Sequence, residues 1–185
     1  YLAFDLDLEI RVAVKEFFPR DFVGRDTEDQ LTLLPYEGEC GTFFEAEKEK
    51  FINEAKRLAK FRGKPGIVSV LDYFQENGTA YIVMEYIEGA TLRAYHMATG
   101  SALDVQAVLR LMKPVIAILD MVHQEGIIHR DISPDNIMIN PKEEKVYLID
   151  FGTAREASLD GERSLSVYMK HGYTPAEQRS RHGVQ

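Results

Sequence analysis

The stretch that decides the fold is "HRDISPDNIMI", His129–Ile139, which is followed by "YLIDFGTAR", Tyr147–Arg155. The two segments place an amide and two carboxylates, Asn136, Asp131 and Asp150, on polar loops beside short apolar runs that read as strands. Side chains of this kind bind cations or move protons. The question is which cation or substrate these three side chains bind.

Three chemistries compete for the trio. Paired carboxylates can hydrolyse a glycoside, and oxygen ligands can hold a structural cation. Phosphoryl transfer needs Mg²⁺ ligands, a base for the attacking hydroxyl and a cation on the nucleotide phosphates. Only the third reading also calls for a strand lysine held by a helix acid. Lys15 in "VAVKEFF" and Glu54 in "FINEAKRLAKF" supply that pair.

The first half of the chain predicts a small β-rich unit. Alternating residues predict two strands within residues 1–18, and breakers make residues 19–42 irregular. Residues 43–61 have helical periodicity, with Phe51 on the apolar face. Two more strands, "GIVSVLDYFQ" and "TAYIVMEYI", are joined by the turn "ENG".

The second half predicts mostly helix around the polar loop. Gly89 marks the change, a short helix follows in "TLRAYHMA", and a longer helix covers residues 104–124. Pro114 should kink that helix or mark its effective start. The fold class is therefore α+β. We expect two domains, residues 1–87 and 88–185, the first an antiparallel sheet with one helix and the second partly helical.

Composition excludes several function classes. The 185 residues carry a net charge of −8, which argues against nucleic acid or an anionic membrane as the main partner. Cys40 is the single cysteine, so no intrachain disulfide or thiolate zinc cluster can form. We find no signal peptide and no apolar run long enough to span a bilayer. We expect a cytoplasmic location, with an anchor outside this chain as the alternative.

Four ordered motifs give the chain a family resemblance. "VAVK", "HRDISPDN", "DFG" and "GYTPAEQ" occur in the order that protein kinases use. The sequence resembles that family over essentially its whole length, and most of all the bacterial Ser/Thr-type kinases. The resemblance implies a two-lobed kinase fold and ATP-dependent phosphorylation of protein Ser or Thr hydroxyls.

The same resemblance assigns roles at the catalytic centre. Lys15 would hold the α- and β-phosphates of ATP and pair with Glu54. Asp131 would orient the substrate hydroxyl or accept its proton, while Asn136 and Asp150 would bind Mg²⁺.

The resemblance also implies an adenine pocket. Ala13 would form part of its roof, and Met84 would guard its back. The segment "MEYIEG", Met84–Gly89, would be the hinge, with Glu85 and Ile87 presenting backbone atoms to adenine. ATP and Mg²⁺ are thus the expected cofactors, and a protein bearing Ser or Thr is the expected partner.

The sequence departs from the family at both ends. No glycine-rich phosphate loop precedes "YLAFD", and the sequence stops soon after "PAEQ", so we expect a kinase domain truncated at both ends. The helix at residues 104–124 would then expose apolar surface, and the chain could form oligomers through it. Residues 19–42 are longer than the usual link and could be a plain insertion or a docking surface.

Two further departures concern the loops. Ser133 stands where Ser/Thr kinases usually carry a lysine that meets the γ-phosphate, and we hypothesise that Lys170 takes over that charge. Arg130 would pair with a phosphate on the activation segment, residues 150–177. Candidate acceptors are Ser158, Ser164, Ser166 and Tyr168.

Some readings stay open at this stage. Glu47 and Glu49 lie on the same predicted helix as Glu54, so surface acids compete for the lysine. His129 is expected to pack and to hydrogen-bond the backbone rather than to catalyse. A nucleotide-binding pseudokinase or scaffold without turnover is the alternative function. A small-molecule kinase on a related fold is a third possibility, against which "DFGTAR…PAEQ" speaks.

Overall fold

The structure, a computed structural model, describes residues 1–38, 40–100, 102–151, 155–156 and 172–173. The chain divides into two compact units. We call them the sheet unit, Tyr1–Lys64 with Val68–Tyr86, and the helix unit, Pro65–Ile67 with Ile87–Gln185. No helix in the described part of the chain is both long enough and apolar enough to cross a membrane.

The sheet unit is built on a four-stranded antiparallel sheet with one long helix. Its elements are β1 Leu2–Asp5, β2 Ile10–Glu16, β3 Val23–Arg25, β4 Leu33–Pro35, α1 Cys40–Ala59, β5 Val70–Glu76 and β6 Thr79–Glu85. The strand order is β1-β2-β6-β5, and α1 packs against β5 and β6. The alternation of apolar residues explains this, because it buries Val12, Ala80 and Ile82 together with Phe51 and Leu58 of the helix.

Residues 19–42 are more ordered than their breakers suggest. Strands β3 and β4 pair as a short antiparallel hairpin, and α1 begins at Cys40 instead of Phe43. The turn is closed by the carboxylate of Asp29, which accepts hydrogen bonds from the backbone N–H groups of Leu31 and Thr32. The prediction of an irregular segment was wrong here. Three-residue strands are too short to show alternation, and packing on α1 fixes them.

The helix unit combines two helices with short strand pairs. Its elements are β7 Ala90–Thr91, α2 Leu92–Thr99, α3 Val105–Gln124, β8 Ile127–Ile128, β9 Ile137–Asn140, β10 Lys145–Leu148 and β11 Arg155–Glu156. Strands β10, β9 and β7 form one sheet in that order, and β11 pairs with β8. Both helices start at side-chain caps. Thr91 accepts from the N–H of Ala94, and Asp104 accepts from the N–H of Ala107.

Helix α3 continues through Pro114 from Val105 to Gln124, so the prediction that Pro114 marks the effective start was wrong. The missing proline N–H removes one helix bond, and Asp104 has already initiated the helix upstream. Val115 and Val122 of α3 are buried. Other apolar side chains of α3 stay exposed: Val105, Val108, Leu109 and Ile116.

The sharpest steric constraint in the helix unit lies at Gly89. A Cβ added there would lie 2.1 Å from the carbonyl oxygen of Ile139, a backbone atom of β9, which is paired with strands on both sides. We expect Gly89→Ala to lower the free energy of unfolding by about 2–3 kcal/mol, measured by urea denaturation. Gly100→Ala is the matched control. It has a positive φ but open space, and should cost only about 1 kcal/mol. Equal losses would contradict the steric account.

Candidate active site

The predicted lysine and glutamate meet in the sheet unit. The Nζ atom of Lys15 on β2 lies 3.1 Å from Oε1 of Glu54 on α1. Glu54 is only 4% exposed and shares the buried face of the helix with Ala55 and Leu58. A carboxylate is rarely buried unless a charge or hydrogen-bond donor compensates it. The Lys15 ammonium therefore contributes to compensating the buried Glu54 carboxylate.

Helix phase decides between the three candidate acids. Glu49 is exposed, and Glu47 forms an ion pair with Lys50 one turn along the same helix. Such i,i+3 pairs are surface features worth little to stability. Of the three acids, only Glu54 is buried and bonded to Lys15.

An aromatic ring supports the lysine, and sequence reasoning missed it. The Nζ atom of Lys15 lies 5.5 Å from the centre of the Phe51 ring, within the range of a cation–π contact. Phe51 precedes Glu54 by three residues, so the two lie on the same helix face. That spacing was the available signal.

Three of the residues expected around adenine, Ala13, Met84 and Glu85, lie in the sheet unit, at or opposite the end of β6. Ala13 on β2 is directly opposite Met84 in the antiparallel register. The Glu85 carboxylate accepts a hydrogen bond of 2.7 Å from the N–H of Ser69, and its own N–H donates to the Ser69 carbonyl. These bonds anchor the end of β6. Ile87, at the start of the main segment of the helix unit, is 8% exposed.

In the helix unit the amide of Asn136 holds the loop aspartate. Its Nδ2 atom donates to the carbonyl oxygen of Asp131 at 2.9 Å and to its Oδ2 atom at 2.8 Å. Asn136 is buried, and its backbone N–H donates to the Ser133 carbonyl to close the turn. With Nδ2 used by Asp131, the amide oxygen is the atom that suits a cation.

Asp150 joins this pair through the backbone. The N–H of Ile149 donates to the carbonyl oxygen of Asn136 at 2.9 Å, which brings the next residue, Asp150, alongside. Asp150 is exposed and has a φ of 60°, a left-handed conformation that Asp and Asn adopt more easily than most residues. The structure thus bonds Asn136 to Asp131 directly and places the backbone of Asp150 one residue beyond the Ile149–Asn136 bond.

The donor set fits Mg²⁺ held jointly with a nucleotide. Among the described residues no group of three or more His, Cys, Asp or Glu side chains could hold a metal ion. Mg²⁺ does not need such a cage, because it takes one or two protein oxygens together with phosphates and water. Asn136 and Asp150 offer that number of hard oxygen ligands.

His129 connects the two loops. Its ring is 1% exposed and packs on Phe151 with centroids 4.4 Å apart. Nδ1 accepts from the N–H of Asp131 at 3.3 Å, while Nε2 lies 3.2 Å from the carbonyl oxygen of Ile149. This pattern matches the neutral tautomer with the proton on Nε2. The histidine is a packing and hydrogen-bonding residue, as expected.

The loop bridge predicts the effect of removing only the imidazole nitrogens. His129→Phe keeps a ring against Phe151 but leaves the Asp131 N–H and the Ile149 carbonyl without it. We expect the free energy of unfolding to fall by about 1–3 kcal/mol, measured by chemical denaturation. His123→Phe, on an exposed position of α3, is the control and should change little. A loss no larger than that of the control would show that the bridge is unimportant.

The ion pair between Arg93 and Asp135 in the helix unit had no sequence signal. The guanidinium of Arg93 on α2 binds the carboxylate of Asp135 in the loop through both Nε and Nη2, and this hydrogen bond raises the pKa of Arg93. The Arg93 N–H also donates to the Pro134 carbonyl. Arg93 lies 6.0 Å from the centre of the Tyr173 ring. The partners are far apart in sequence, so only the fold pairs them.

Several predictions about the loops fall on or near residues outside the described part of the chain. Lys170 and the four candidate phosphate acceptors, Ser158, Ser164, Ser166 and Tyr168, lie there. Ser133 itself is 1% exposed, and Arg130 has a positive φ of 68°. Both hypotheses therefore stay predictions.

Comparison with known proteins identifies the family. The model of the protein kinase domain matches residues 42–182, about three quarters of the chain. This chain belongs to the protein kinase family. Among solved structures, the kinase fold of the PpkA-294 apo form is similar, with 37% identity, a TM-score of 0.75 and coverage of 82% of this chain and 53% of that one.

Bacterial kinases are prominent among its relatives. The chain is 38% identical over 138 residues to the serine/threonine-protein kinase PknA of Nostoc sp. (strain PCC 7120), covering 71% of this chain and 24% of that protein. It is 36% identical over 131 residues to the serine/threonine-protein kinase PknD of Mycobacterium tuberculosis, covering 71% and 19%. The chain thus spans about a quarter or less of these relatives, and about half of the PpkA-294 chain.

Proposed function

We propose that this kinase domain transfers the γ-phosphoryl group of ATP to Ser or Thr hydroxyls of proteins. The observation that carries the proposal is the bond from Asn136 Nδ2 to Asp131 Oδ2 at 2.8 Å, with Asp150 brought alongside through Ile149. This arrangement joins a candidate base to two candidate Mg²⁺ ligands. We further propose that the sheet unit is the N-lobe and the helix unit part of the C-lobe.

Asp131 is proposed to orient the substrate hydroxyl and to take its proton. The Asn136 amide fixes one carboxylate oxygen, Oδ2, and the Asp131 N–H is fixed by His129. A positioned carboxylate favours attack mainly by alignment, because the phosphoryl transition state is loose and needs little covalent help. The second oxygen of the carboxylate is the one that suits the hydroxyl.

Asn136 and Asp150 are proposed to bind Mg²⁺, and Lys15 to hold the α- and β-phosphates. When bound, Mg²⁺ neutralises charge on the β- and γ-phosphates. Glu54 holds the Lys15 ammonium at 3.1 Å, and we propose that this contact positions the ammonium for the phosphate oxygens. Adenine is proposed to lie against Ala13 and Met84, with Glu85 and Ile87 presenting hinge backbone.

The proposed acceptor is a protein hydroxyl. The similar bacterial proteins are named serine/threonine-protein kinases, which supports this substrate class for the present chain. We propose a cytoplasmic location, because the proposed reaction consumes ATP and because the single free cysteine, Cys40, is compatible with a reducing compartment.

The test is phosphoryl transfer from γ-labelled ATP to a panel of proteins and, separately, to small alcohols. We expect label on Ser or Thr of protein acceptors with the intact protein, and none with the Asp131→Asn variant. Label on small alcohols alone would overturn the protein-kinase proposal. ATP binding without any transfer would support a nucleotide-binding scaffold instead.

The metal role makes a separate prediction. Asp150→Asn keeps a residue that tolerates a φ of 60° but removes one ligand charge. We expect the Mg²⁺ concentration for half-maximal activity to rise by about tenfold or more, since carboxylate charge supports binding of hard cations. A magnesium titration at saturating ATP measures this. An unchanged midpoint would remove Asp150 from the metal site. Asp120→Asn, at an exposed position of α3, is the control.

A further inference from the structure

The hairpin β3–β4 lies between the strand that carries Lys15 and the helix that carries Glu54. We propose that it is a built-in brace that holds α1, and thereby positions Glu54 against Lys15. This inference rests on the proposed phosphoryl-transfer function, because the Lys15–Glu54 pair matters for rate only in that reaction. The argument uses contacts within the sheet unit alone.

One side of the hairpin packs on the first turns of α1. The ring of Phe22, just before β3, lies 4.4 Å from the ring of Phe43. Val23 and Leu33, one from each strand of the hairpin, form a buried cluster with Phe44. These side chains fill the space beside α1 and restrict its sliding or tilting.

The ring of Phe17 connects the hairpin cluster to the residues around Lys15 and Glu54. Phe17, which packs against the hairpin cluster, lies 5.3 Å from Phe44 and 5.4 Å from Phe51. Phe51 lies under the Lys15 ammonium and one turn before Glu54. A shift of α1 would therefore disturb both partners of the Lys15 ammonium on that helix.

The other side of the hairpin is fastened to the sheet by an ion pair. Arg25 on β3 donates from Nη2 to Glu16 Oε2 at 2.7 Å, and from Nη1 to the Leu31 carbonyl at 2.8 Å. Glu16 follows Lys15 directly on β2, and its side chain is only 4% exposed. The Tyr81 hydroxyl also lies 3.2 Å from Glu16 Oε1. The hairpin is thus tied one residue away from the catalytic lysine.

A second fastening joins the hairpin to the β5–β6 turn. The N–H of Leu33 donates to the Asn77 carbonyl at 2.9 Å. Gly78 has a φ of 71°, and a Cβ there would lie 2.7 Å from the Leu33 carbonyl oxygen. Close approach of the two backbones is possible because residue 78 is glycine. The hairpin is bonded to the four-stranded sheet at two places and also packs on α1. It therefore sets the distance between α1 and that sheet.

The alternative is an insertion that adds stability without acting on the pair. The two roles separate in a double-mutant cycle on the intact protein. Phe22→Ala weakens the packing on α1, and Phe22→Leu restores apolar bulk. Leu34→Ala, at an exposed position of β4, is the matched control. Each is made in the natural background and with Glu54→Gln, and kcat and KM are measured at saturating Mg²⁺. Thermal unfolding confirms that every variant is folded at the assay temperature.

We expect Phe22→Ala to lower kcat about tenfold, Phe22→Leu to restore most of the loss, and Leu34→Ala to change little. With Glu54→Gln already present, Phe22→Ala should have almost no further effect. Equal losses in both backgrounds would overturn the brace, because they would show an effect that does not pass through Glu54.

Amide hydrogen exchange tests whether the hairpin holds α1, and it does not require measurable phosphoryl transfer. In Phe22→Ala, backbone amides of α1 should exchange faster while those of β5 and β6 stay unchanged. Unchanged exchange in α1 would overturn the brace. If the natural protein transfers no phosphoryl group although it binds ATP, the proposed function fails, and the exchange result still stands or falls on its own.

Discussion

Asp131→Asn is expected to lower kcat by a factor of about 10²–10⁴, the usual contribution of a positioned base. The variant keeps the size of the side chain and leaves the Asn136 bond to the Asp131 carbonyl oxygen in place. It removes the carboxylate that accepts the hydrogen bond from Asn136 Nδ2 and that would take the proton of the substrate hydroxyl. The KM for ATP should change little, because Asp131 is not proposed to touch the nucleotide. Steady-state kinetics with a protein substrate measure both.

The matched control is Asp135→Asn in the same loop. Asp135 binds Arg93 and lies four residues from Asp131, but it is not proposed to meet the hydroxyl. We expect a far smaller loss of kcat. If the two variants lose kcat to the same extent, the account of Asp131 as the base is wrong and the loop matters only as a whole.

Lys15→Met is the second large effect. It removes the proposed phosphate ligand, and loss of one such donor typically lowers kcat by a factor of about 10²–10³. It also removes the ammonium from a Glu54 carboxylate whose side chain is 6% exposed. We therefore expect the free energy of unfolding to fall by about 1–3 kcal/mol. Kinetics and chemical denaturation measure the two consequences separately.

A double variant separates catalysis from stability. Lys15→Met combined with Glu54→Leu replaces the pair by apolar side chains next to Phe51, so most of the lost stability should return. Activity should stay low, because no ammonium is restored. Recovery of activity together with stability would show that Lys15 serves only the fold.

Periodicity and motif spacing predicted most of the elements and the trio. The helix phase that buries Phe51, Ala55 and Leu58 follows from the sequence, and Glu54 falls on the same face. The neighbourhood of Asp131 and Asn136 was predictable because the two residues lie five apart in one loop, and only two short strands separate them from Asp150. Local pattern is sufficient where neighbours in sequence are neighbours in space.

Two features that the sequence did not predict depend on long-range contacts. The hairpin β3–β4 depends on Phe44 of α1, and its three-residue strands show no alternation of their own. The Arg93–Asp135 pair joins residues 42 apart in the chain. The helix over residues 104–124 was predicted, and only the suggested later start at Pro114 was wrong. A proline lowers helix propensity locally, but the cap at Asp104 and burial of Val115 outweigh that loss.

The most direct test of the central claim is the intact mass of the protein and of an added protein substrate after incubation with Mg²⁺ and ATP. The account predicts phosphoryl mass on one or both with the natural sequence, and none with Asp131→Asn. Folded protein that binds ATP and adds no mass to either would contradict it. Equal mass gain in the Asp131→Asn sample would contradict the role of Asp131 while leaving the transfer activity to another group.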